Sequence, residues 1–119
     1  MMDQANLFDG LDTPRLILDA DRLERNAAHM RARCQQLGVT LRPHLKTAKS
    51  ADVARIAAGG AQGPITVSTL AEAEYFAAAG WRDILYSTAI APAKLVRADR
   101  IQRDHGARLL FVVDDERAA

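Results

Sequence analysis

The chain has 119 residues, of which 49% are hydrophobic and 26% charged, and its formal net charge is +1. That apolar share is too high for a disordered chain, and there is no run of about 18 apolar residues that could cross a membrane. A charge near zero leaves no electrostatic footprint for nucleic acid, and a lone Cys34 forms no internal disulfide, so a reducing, cytoplasmic setting is expected.

Short apolar runs alternate with helical periodicity along the chain. The first run is Leu16, Ile17 and Leu18, between Pro14 and Asp19. Leu23, Ala27, Met30, Cys34 and Leu37 then recur at steps of four and three, which predicts one face of a helix. Asp21 and Glu24 have capping-box spacing at its start, and Gly38 fits its stop. Val39, Thr40, Leu41 and Arg42 predict a second strand, closed by Pro43, and a second helix runs from Ser50 to Ala58. Pro64, Ile65, Thr66, Val67 and Ser68 predict a third strand. Thr69 and Glu72 repeat the capping-box spacing ahead of a third helix that carries Leu70, Ala73, Phe76 and Ala77 inward. A fourth strand follows at Ile84, Leu85 and Tyr86. Pro92 suits the first turn of a fourth helix, whose inner face is Leu95, Ala98 and Ile101. The last run, residues 109–113, is wholly apolar, as in a parallel strand covered on both faces.

Five strands alternating with four helices predict a parallel α/β sheet with right-handed crossovers. Both an open doubly wound sheet and part of a (β/α)8 barrel satisfy that order; a whole barrel takes about 200 residues or more. The acidic Asp114, Asp115 and Glu116 followed by alanines read as the start of a further helix.

The segment that carries chemistry is Arg42, Pro43, His44, Leu45, Lys46, Thr47, Ala48 and Lys49, at the end of the second predicted strand. In parallel strand–helix folds, ligands bind at that end of the strands. A lysine in an apolar site loses its proton more readily, and the neutral amine can attack an aldehyde to form a Schiff base. Pyridoxal phosphate is the usual such aldehyde. Lys46 is the better candidate because it is nearer the fixed strand end, whereas Lys49 falls where the next helix begins. A solvated basic loop is the plainer reading of the same residues.

Three motifs, Asp12-Thr13-Pro14, the run from Arg42 to Thr47 with Lys49, and Thr69-Leu70-Ala71-Glu72-Ala73-Glu74, resemble the D-threonine aldolase and D-serine dehydratase family of alanine-racemase-like pyridoxal phosphate enzymes. The resemblance runs in order along the whole chain. It implies a TIM-type barrel, of which residues 1–119 would be an N-terminal part, inactive alone. It also implies a pyridoxal phosphate Schiff base at the lysine matching Lys46. The activity implied is a lyase acting on small D-amino acids with a β-hydroxyl group, of aldolase or dehydratase type. A divalent metal would assist in complete members, with ligands outside this chain, and complete members would be homodimers. A non-catalytic pyridoxal phosphate-binding protein is the alternative. Ala48 departs from the motif, where a histidine is common.

The remaining candidates are weaker. His44 is expected beside the cofactor or orienting a neighbour. Arg42 alternates with Leu41, so it is placed either toward an anion at the barrel mouth or in a surface ion pair. Thr69 matches the family but also fits a helix cap. Tyr86 is placed at a strand end, lining the site or half-buried. His29 and His105 fall on helix surfaces or ends, and no spacing of His, Cys, Asp and Glu suggests a metal site.

Overall fold

The computed structural model describes residues 8–118. Four α-helices, α1 (Ala20–Gln36), α2 (Ala51–Ala58), α3 (Leu70–Ala78) and α4 (Leu95–His105), accompany three strands, β1 (Ile65–Val67), β2 (Asp83–Ala89) and β3 (Arg108–Val112). The strands lie parallel in the order β1-β2-β3. His44 adds a parallel bridge to Thr66 on the free side of β1, flanked by Leu45 N–H to Thr66 O and Thr66 N–H to Pro43 O, both 2.9 Å. The spatial order therefore follows the chain order without reversal. This is the arrangement of a partial barrel and not of an open doubly wound sheet.

Two of the five expected strands are not formed as strands. Leu16, Ile17 and Leu18 are exposed and have no strand beside them, Leu16 completely so. Residues 39–42 form no backbone bridge to β1; the bridge begins only at His44, just after them. A strand needs a neighbour for its backbone groups, and an apolar run cannot supply one by itself.

Register neighbours on a sheet share a face. His44, Thr66, Leu85 and Leu110 form one row, and Leu45, Val67, Tyr86 and Phe111 the next. The second row, with Ile65, Ile84 and Leu109, turns toward the helices. There it meets Ala73, Phe76 and Ala77 of α3, and Ala98 and Ile101 of α4, in one core. Phe76 packs edge-on against Trp81, with ring centroids 5.6 Å apart. This layer holds the strand ends in place, and the row containing His44 faces the other way.

Local chemistry starts and stops the helices. Ser50 and Thr69 accept from Val53 N–H and Glu72 N–H, as side-chain caps do. The cap of α1 is Asp19, which accepts from Arg22 N–H, two residues earlier than the expected Asp21. Gly59 ends α2 at φ 70°, a conformation that costs other residues a clash with their own Cβ. Arg31 of α1 donates to Ile56 O (3.2 Å) and Ala57 O (2.9 Å), satisfying the last carbonyls of α2. α1 itself buries no residue: of its apolar stripe, Leu23, Ala27 and Cys34 are half-buried, while Met30 is exposed. No helix among the described residues is long and apolar enough to cross a membrane.

Candidate active site

The C-terminal ends of the His44 segment, β1 and β2 bring His44, Ser68 and Ser87 together. His44 Nε2 lies 3.2 Å from Ser87 Oγ and 3.4 Å from Ser68 Oγ. The Ser87 hydroxyl donates to Val67 O at 3.1 Å, so toward His44 its oxygen can only accept. On the other side of the ring, Lys46 N–H donates to His44 Nδ1 at 3.2 Å.

Lys46 opens a tight turn, closed by Lys49 N–H donating to Leu45 O at 2.9 Å. Lys49 ends that turn at φ 48°, and its ammonium lies 3.3 Å from Glu72 Oε1. The second oxygen of Glu72 accepts from Ser68 N–H at 2.7 Å. Burial pushes the Glu72 carboxyl up, but the Ser68 amide and the Lys49 ammonium outweigh it and hold it below the usual carboxylate range. Glu72 thus fastens the Lys46 turn to the start of α3.

The sequence contains three lysines, Lys46, Lys49 and Lys94. Lys49 is paired with Glu72, and Lys94 donates to the Tyr86 hydroxyl at 3.1 Å. Among the described residues, the exposed Lys46 ammonium has no partner.

The other expected site residues lie as follows. Thr69 stands at the same edge with its hydroxyl oxygen engaged as the α3 cap. Tyr86 is fully buried in the row opposite to that of His44, and its hydroxyl meets Lys94. Arg42 is on the His44 face but at the opposite, N-terminal end of the strands. It donates to Ile65 O at 3.1 Å and pairs with Asp83 at 2.8 Å, so its guanidinium is taken up by a structural ion pair and not held at the mouth. Ser68 and Ser87 were not singled out from the sequence. The available signal was a hydroxyl residue at the end of each of two apolar runs.

A cleft of about 460 Å³ opens at the same edge, past the ends of β2 and β3, lined by Ala89, Ile90, Pro92, Asp114, Asp115 and Arg117 among others. That volume falls in the range of small-molecule sites. Its carboxylates are partly spent: Arg117 holds the Asp115 carboxyl below the usual range. Lys46, His44 and Thr69 do not line it. Among the described residues no group of three His, Cys, Asp or Glu side chains could hold a metal ion.

Parallel strands in sequence order with helices on one face define a barrel-type α/β domain, a class whose ligands bind at the C-terminal strand edge, where the Lys46 turn stands. Residues 18–117 match the family model of the alanine racemase N-terminal domain, and the chain belongs to that family. It is 51% identical over 110 residues to D-threo-3-hydroxyaspartate dehydratase of Delftia sp. (strain HT23), covering 92% of this chain and 28% of that protein. It is 38% identical over 108 residues to 3-hydroxy-D-aspartate aldolase of Paracoccus denitrificans, covering 88% of this chain and 27% of that one. The solved structure of the Delftia dehydratase superposes with a TM-score of 0.85 at 47% identity, over 92% of this chain and 28% of that chain. The chain therefore spans just over a quarter of the length of these relatives.

Proposed function

We propose that this chain carries the cofactor lysine of a pyridoxal phosphate-dependent lyase acting on D-β-hydroxy amino acids, of the D-threonine aldolase or D-serine dehydratase type, and that the lysine is Lys46. The observation that carries the reading is the unpaired Lys46 ammonium at the C-terminal strand edge, in a chain whose other two lysines are engaged. The names of the relatives, a dehydratase and an aldolase of hydroxyaspartate, supply the substrate class.

The residues present fit the cofactor's covalent anchor. Attachment needs an accessible primary amine on a backbone that does not wander. The Lys46 turn provides both: the side chain is exposed, and three bonds fix the turn, from Lys46 N–H to His44, from Lys49 N–H to Leu45 and from Lys49 to Glu72. When bound, pyridoxal phosphate supplies an electron sink for bond cleavage in the amino acid. Lys46 would hold it covalently, with His44 and Thr69 at the same edge. Glu72 keeps the Lys49 ammonium occupied, so the neighbouring amine does not compete.

The described residues do not supply a metal site. A metal-free form of a D-threo-3-hydroxyaspartate dehydratase variant is among the similar structures, so a divalent metal belongs to the proposal through ligands other than these. Homodimeric assembly and a cytoplasmic location belong to it as well, resting on the resemblance and on the lone cysteine.

Protection of Lys46 tests this reading. The protein is incubated with pyridoxal phosphate, then with the D- or L-isomers of 3-hydroxyaspartate, threonine or serine, and reduced with borohydride. The D-isomers should compete with Lys46 for the cofactor and lower its labelling. Equal effects of both isomers, or none, would count against a D-amino acid enzyme.

A further inference from the structure

We infer that His44 is the positioning residue of the Lys46 turn, acting as a neutral imidazole protonated on Nε2. The inference rests on the reading of Lys46 as the cofactor lysine only for its consequence, and stands on geometry for its content. A backbone amide can only donate, so the bond from Lys46 N–H makes Nδ1 an acceptor. The ring proton then belongs on Nε2. There it meets two serine oxygens, and the one on Ser87 has already given its own proton to Val67 O. Both ring nitrogens are thereby assigned, and the tautomer follows from the bonds around the ring.

The contact between residue 44 and the amide of residue 46 has the reach of an Asx turn, in which an Asn or Asp side chain accepts from the amide two residues on. His44 makes that turn and also extends beyond it. Its Nε2–H ties the turn to Ser68 after β1 and to Ser87 in β2. The backbone of Lys46 is in this way referenced to two neighbouring strand ends. His44 itself is exposed, so its removal takes away these bonds without opening the core.

The test reads the tautomer and the turn separately from the cofactor. Imidazole ¹⁵N spectra of the unaltered protein, taken above the titration of histidine, should show His44 with its proton on Nε2; a proton on Nδ1 overturns the assignment. In His44→Leu, amide exchange at Lys46 should accelerate about fivefold, the factor that one neutral hydrogen bond contributes. Lys46 should also lose its lead over Lys49 and Lys94 in labelling by pyridoxal phosphate and borohydride. His44→Asn keeps an acceptor for the amide two residues on and should restore the exchange protection. Equal exchange in His44→Leu, His44→Asn and the unaltered protein overturns the positioning role. If Lys46 takes no label in the unaltered protein while the Nε2–H tautomer and the exchange pattern hold, the cofactor reading fails and the assignment of the turn is upheld.

Discussion

Glu72 offers a perturbation whose size can be worked from its contacts. In Glu72→Gln the side chain keeps its shape and an acceptor for Ser68 N–H, which lies 2.7 Å away, but loses its charge. A hydrogen bond to a charged group contributes about 1.5–3 kcal/mol and a neutral one about 0.5–1.5, so that exchange costs about 1 kcal/mol. The ion pair with Lys49 adds little, because the lysine side chain is 64% exposed and water screens it. Carboxylate placement at the start of α3 adds about 0.3–1 kcal/mol. The sum is a loss of about 1–2 kcal/mol, measurable as a lower urea midpoint at about pH 7. The pH dependence supplies the sharper check. The folded-state carboxyl titrates below its ordinary value, so its contribution is complete above the unfolded value of 4.5 and is lost as pH falls through the folded one. The gap between the unaltered protein and Glu72→Gln should therefore close in acid. A gap that is unchanged between about pH 7 and pH 3, or a variant as stable as the parent at about pH 7, would refute the reasoning.

Two further outcomes follow from the fold. Gly59→Ala forces a Cβ into φ 70° and to 2.9 Å from the Arg31 side chain that caps α2, and should cost about 1–2 kcal/mol in a urea titration. Arg42→Gln removes the ion pair with Asp83 at the N-terminal strand edge; it should lower stability by about 1 kcal/mol and leave the labelling of Lys46 unaltered. A fall in that labelling would place the guanidinium at the cofactor.

Signals that live in a few adjacent residues were legible in the sequence. Ser50, Thr69 and Pro92 mark helix starts, and each acts on the backbone within one turn. The strands around residues 65, 84 and 109 were legible because each turns apolar residues, Ile65, Ile84 and Leu109 among them, into the core against α3 and α4. What depends on a partner was not. Leu16, Ile17 and Leu18 carry the same apolar signal but have no strand beside them among the described residues, and the stripe on α1 buries no residue. At the site, Lys46 and His44 could be found from a motif at a strand end. The bonds that distinguish the lysines could not: Lys49 meets Glu72 from 23 residues away, and Lys94 reaches Tyr86 back across the strand end. Arg42 shows the same limit. Alternation gave its face, but only the position of Asp83 shows which end of the strands it serves.

The most direct test of the central claim is to locate the covalent label. The protein is mixed with excess pyridoxal phosphate, reduced with borohydride, digested with trypsin and mapped by mass spectrometry. A modified Lys46 resists cleavage, so the label should appear on a peptide that runs through Lys46 to Lys49, and Lys46→Ala should abolish it while Lys49→Ala leaves it. Label concentrated on Lys49 or Lys94, or spread evenly over the three lysines, would contradict the account.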